Sequence, residues 1–216
     1  MPDLSFHIES ANPVPHAAAP LLALKLAIAN TDPNEQIHSV ILQCQIQIEA
    51  PRRGYAAGEQ TRLLDLFGEP ERWGQTLRSM LWTHANVNVP AFTGTTIVDL
   101  PVPCTFDFNI GATKYFHALE HGEVPICLLF SGSIFYEHEH ALLQVARIPW
   151  SKEARFRLPV SVWKQVIEHY YPNTAWLTLR RDVFDRLDEY KRRHSIATWE
   201  QVMEVLLAEV DEKVPT

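Results

Sequence analysis

His117, Glu120 and His121 spell HxxEH, the pattern in which two histidines on one helix bind zinc and the glutamate between them acts as general base. Farther on, Glu137, His138, Glu139 and His140 form the run EHEH, and strand alternation puts His138 and His140 on one face. If that run folded back over the helix, its histidines could join His117 and His121 around zinc or nickel. Three observations weigh against such a site. Tyr115, Phe116 and Leu119 share the apolar face of the expected helix 112–121, so His117 and His121 project from nearly the opposite side. Gly122 ends the helix at once, and a histidine in a last turn is favoured by the helix dipole without any metal. No later helix presents a glutamate ligand, and EHEH between two apolar runs reads as a hairpin turn. His117, Glu120, His121, His138 and His140 are therefore candidates only, and no cofactor is expected.

Other catalytic signatures are missing. The chain contains no GxGxxG, no P-loop and no GxSxG, and Ser131 lies inside an apolar strand pattern with no strand–turn–helix around it. Cys44, Cys104 and Cys127 are odd in number, lack CxxC spacing and sit in apolar strands, which reads as buried, inward, reduced thiols.

The elements that would position these residues are mostly strands. Leu4, Phe6 and Ile8 alternate with polar neighbours, Leu22, Leu24, Leu26 and Ile28 form a one-sided run, and Leu42, Cys44, Ile46 and Ile48 oppose Gln43, Gln45, Gln47 and Glu49. Further strands are expected over 76–89, where Trp82 shares a face with His84 and Asn86, and over 95–100, 104–110, 126–136, 142–148 and 154–158. Pro101 and Pro103 mark an edge or a kink, because proline cannot donate to a ladder. From Val160 the period turns helical, with helices at 160–170 and 181–193 and a third beginning at Thr198, whose spacing to Gln201 suits a cap. The fold class is α+β, mainly β: an antiparallel β-sandwich of about eight strands followed by about three C-terminal helices. The organisation is a sandwich over 1–159, with a loop and helix excursion at 52–75, and helices over 160–216 packed on it as one domain.

A chain of 216 residues with 46% hydrophobic and 21% charged residues can bury a substantial core, and a net charge of -7 argues against nucleic acid or an anionic membrane as partner. The first ten residues resemble no signal peptide and no apolar run is long enough to span a bilayer, so a cytoplasmic location is expected. The excursion is locally basic, and Arg52, Arg53 and Tyr55 are the candidate binding residues, since Arg and Tyr anchor many interfaces.

The segments IQIEAPRRGY (46–55), VPCTFDF (102–108), KYFHALEHGEVPI (114–126) and FSGSIFY (130–136) together resemble an uncharacterised bacterial family associated with nickel-iron hydrogenase gene neighbourhoods. That resemblance implies an accessory or assembly role and supplies no catalytic residue. The leading expectation is a non-enzymatic protein that binds another protein. The alternatives are a metal-dependent hydrolase or metal-delivery protein using residues 117–121, and a structural subunit that self-associates.

Overall fold

The computed structural model describes residues 2–105, 110–138, 142–175 and 177–211, without the side chains of 138 and 211. They form nine strands: β1 (Leu4–Pro13), β2 (Leu21–Asn30), β3 (Gln36–Ile48), β4 (Met80–Val89), β5 (Phe92–Thr93), β6 (Thr95–Pro103), β7 (Glu123–His138), β8 (Leu142–Arg147) and β9 (Glu153–Pro159). Short helices α1 (Ala57–Arg62), α2 (Leu64–Phe67) and α3 (Trp73–Thr76) fill the excursion, and α4 (Ile110–Ala118) precedes β7. After the last strand come α5 (Val160–Tyr170), α6 (Arg181–Arg193) and α7 (Trp199–Asp211). The class is α+β and mainly β, as the alternation of apolar residues leads one to expect.

The chain divides into two compact units, Met1–Thr174 and Ala175–Thr216. In the first, β1, β2 and β6 make one antiparallel sheet with β2 at its centre. The larger sheet runs β4-β3-β7-β8, with β5 also beside β3 and β9 also beside β7. Their dry faces meet: Leu22, Leu24, Leu26 and Ile28 of β2 and Leu42, Cys44, Ile46 and Ile48 of β3 are all buried. A period of two sends such residues to one side, so burying them drives the two sheets together. β6 ends its sheet, which accounts for Pro101 and Pro103.

Edges of the two sheets cover one another. β1 lies against β9 and β4 against β6. Phe6 stacks on Phe130 with ring centroids 4.2 Å apart, and Lys152 meets Asp3 at 2.6 Å. Helix α5 belongs to this first unit and packs on β1, β2 and β9, while α6 and α7 form the second. Within that second unit Phe184 meets Trp199 at 5.2 Å, and the Thr198 hydroxyl accepts the Gln201 N–H at 3.2 Å, the expected cap.

Several local expectations are corrected. Trp82 is not on the wet face with His84. The β3–β4 register slips between Ile46 and Gln47, leaving Trp82 as the extra residue of a bulge, and it turns inward to meet Phe116 at 4.9 Å. β4 begins at Met80 because Trp73–Thr76 are helical. Ile110 opens α4 instead of closing a strand, and Phe106 and Phe108 lie outside the described residues. Gly132 of β7 has φ 143°, and a Cβ there would stand 2.0 Å from the Ile41 carbonyl oxygen, so β3 approaches closely enough to require glycine. Among the described residues no helix is long and apolar enough to cross a membrane.

Candidate functional site

The HxxEH residues fall at the junction between α4 and β7. The helix ends at Ala118, three residues earlier than the sequence suggests, so His117 is in its last turn and Glu120 and His121 are beyond it. What stops it is visible in the backbone: the carbonyls that follow are taken by side chains from elsewhere. Arg62 Nε donates to Ala118 O at 2.9 Å, Lys164 Nζ to Glu120 O at 3.0 Å, Arg53 Nη2 to His121 O at 2.5 Å and Arg53 Nε to Glu123 O at 3.2 Å. Three cations thereby satisfy one carbonyl of the helix end, that of Ala118, and three carbonyls of the turn and strand that follow. Gly122, at φ 83°, makes the turn into β7.

Arg53 is committed to this junction. Its Nη1 and Nη2 bond Glu59 Oε2 and Oε1 at 2.8 and 2.9 Å, a bidentate pair whose side chains are 8% and 5% exposed. Glu59 also accepts the N–H of Glu120 at 2.8 Å and of Ala56 at 3.2 Å. Burial alone would raise its carboxyl, but the bonds from Arg53, Glu120 and Ala56 outweigh that and hold it at about 2. Tyr55 donates to Ala50 O at 2.8 Å and takes the Tyr115 hydroxyl at 2.8 Å, and burial pushes the Tyr115 phenol upward. Arg53 stands over the Tyr55 ring at 5.1 Å. Of the three candidate binding residues, Tyr55 and Arg53 thus hold the excursion to α4 and β7. Arg52 is the exposed one, 3.3 Å from Glu49.

The metal candidates among the described residues are engaged in other contacts. Glu120 gives its carboxylate to Arg62 at 2.6 Å, and His121 offers its backbone carbonyl to Arg53. His117 sets its ring edge-on to Trp163 at 5.1 Å, where burial and the Lys164 ammonium hold it below its ordinary value. The side chain of His138, and Glu139 and His140 entirely, lie outside the described residues. Among the described residues no group of three or more His, Cys, Asp or Glu is placed to hold a metal ion. The three cysteines are free and buried. Cys127, though, is on the outward row of β7 between Gln47 and Arg155, and its thiol is raised first by burial and then by Glu153 and Glu49.

A second region stands out by its surface. β8 ends the larger sheet, and its Leu142, Leu143 and Val145 are 62%, 63% and 58% exposed. Trp150, in the turn that follows, is 90% exposed. By register Val145 faces Phe135 of β7, and Ile41 of β3 lies one pair further on across Ser133. Leu143, Val145, half-buried Phe135 and exposed Ile41 therefore form one apolar strip on the outer face. Periodicity hides this strip, because an edge strand and a central strand alternate alike; two leucines side by side in Leu142–Leu143 were the available signal.

The model of a family of unknown function, DUF6084, matches residues 1–215. The chain belongs to that family. No curated protein matches this DUF6084 sequence. Solved structures similar to it include β-glucosidase 3B from Thermotoga neapolitana in complex with α-D-glucose, at 11% identity and a TM-score of 0.25, covering 72% of this chain and 17% of that one. The ApaA protein from Bordetella pertussis shares 14% identity at a TM-score of 0.25, over 73% of this chain and 93% of that one. A β-glucosidase from Kluyveromyces marxianus shares 11% at 0.26, over 72% and 15%. Scores of this size carry no argument about what a DUF6084 chain does.

Proposed function

We propose that this protein is a non-enzymatic accessory protein that holds another polypeptide against the outer face of its larger sheet. The observation that carries the reading is the strip Leu143, Val145, Phe135 and Ile41, apolar surface beside a strand whose outer edge is unpaired among the described residues. Contiguous exposed apolar residues on a rigid sheet mark contact surfaces, and the sheet is rigid because β3 and β7 pair along nearly their whole length. The resemblance to proteins of nickel-iron hydrogenase neighbourhoods supports a hydrogenase subunit or maturation factor as the partner. The test is capture from the native cell with wild-type chain and with Ile41→Lys. Wild type should retain a hydrogenase-related protein and the variant should lose it. Identical eluates would place the contact elsewhere, and an eluate free of hydrogenase proteins would remove that partner class.

A further inference from the structure

The free edge of β8 has a definite hydrogen-bonding pattern. Ile148 N donates to Gly132 O at 3.1 Å, in register with the β7–β8 ladder. Donors and acceptors alternate sides along an antiparallel strand, so Leu142, Gln144 and Ala146 point theirs toward β7, while Leu143, Val145 and Arg147 point theirs outward. Among the described residues nothing pairs with that row. The strand also lacks the devices that normally guard an edge: it contains no proline, and Arg147 is its single charge. The neighbouring half of the same edge differs, since β9 carries Arg155 and Arg157 and lies against β1.

We propose that two copies of this chain join by antiparallel pairing of their β8 strands about a two-fold axis at Val145. The occupant is a second copy because the strand is complementary to itself. With the axis at Val145, that residue faces its own copy, Leu143 faces Arg147 of the other strand, and Gln144 faces Ala146. The lone charge never meets its equivalent, and three outward-pointing residues on each strand supply about six hydrogen bonds, two per pair. Opposed residues in such a ladder share a face, so the two outer strips run together into one apolar surface across the axis. The inference rests on the reading above only for what the joined surface is used for.

Three proteins test it by light scattering: wild type, Val145→Lys and Val145→Glu. Wild type should scatter at twice the 24.7 kDa chain mass. Each variant should scatter as a monomer, because like charges would meet at the axis and weaken association roughly a hundredfold. An equal mixture of the two variants should return to the doubled mass, since Lys then faces Glu. A monomeric wild type, variants that remain dimeric, or a mixture that stays monomeric would each overturn the proposal. Arg147→Pro supplies a second variant, removing one outward N–H while leaving Leu143 and Val145 in place; it should be monomeric and folded by circular dichroism. Ile41→Lys should remain dimeric while losing the captured partner. Loss of the partner with an unchanged monomeric mass would uphold the outer face and overturn the dimer; a dimer that captures nothing would do the reverse.

Discussion

The junction around residues 118–123 and the edge at β8 invert the usual distribution of polarity. At the junction, Arg53 and Glu59 are buried, and every bond they make goes to another part of the same chain. At the edge, three apolar side chains of one strand stand in water with a single arginine among them. Basic residues drew attention to the excursion as a binding surface, yet most of that chemistry is closed on itself. A buried ion pair with all its lone pairs satisfied fixes geometry more than it adds stability, because desolvation offsets the attraction. Exposed apolar surface, by contrast, gains free energy only when something covers it. One region holds the chain in shape and the other presents apolar side chains to solvent.

The comparison can be broken most severely at Gly132, which lies between the strands that carry both regions. Gly132→Ala should lower stability in urea by about 3 kcal/mol or more, since a Cβ 2.0 Å from the Ile41 carbonyl forces β3 and β7 apart. A shift below about 1 kcal/mol would show that the sheet yields there. Glu59→Ala leaves Arg53 buried without its partner and should cost about 3 to 5 kcal/mol, whereas the double change Arg53→Met with Glu59→Leu should recover much of it. If the double variant were no more stable than the single, Arg53 would not be the group left uncompensated.

Acid should act on the junction through the same carboxyl. Glu59 sits at about 2 when folded against 4.5 ordinarily, so the unfolded chain binds the proton more readily. Its contribution is complete above about pH 5 and is lost as pH falls toward 2. Denaturation midpoints measured across that range should fall less steeply in Glu59→Gln than in wild type; parallel curves would exclude Glu59 as a source of the acid lability. The smallest effect belongs to Arg52→Glu, where an exposed guanidinium beside the mostly buried Glu49 is replaced by a like charge: stability should change by less than about 1 kcal/mol. A larger loss would mean that Arg52 shares in the clamp.

How much of this was legible depends on whether the determinant is local. The alternations in β2 and β3, the helix at 181–193 and the cap at Thr198 follow from periods and caps that act within a few residues, and they read directly. Trp82 did not, because its bulge is set by register with β3, some thirty-five residues away. The premature end of α4 was hidden for the same reason, since Arg53, Arg62 and Lys164 reach it from distant segments. With α4 ending at Ala118, Glu120 and His121 of the HxxEH pattern lie outside the helix that the pattern presumes. The position of β8 at the end of its sheet is a property of strand order, which side-chain alternation does not encode.

The central place of β7 also affects how the chain can be made. β3 is complete at residue 48, but the strand that occupies its second edge is not finished until residue 138. At a synthesis rate of about 5 to 20 residues per second, a nascent chain leaves β3 without its β7 edge for about 5 to 18 s. During that interval Leu42, Ile46 and Ile48 have no β7 beside them, and unpaired apolar strands of this kind make a nascent chain prone to aggregate. Nascent chains halted near residue 110 should be cut readily by protease and those halted well past 175 should resist, so that acquisition of structure on the ribosome comes late and in one step.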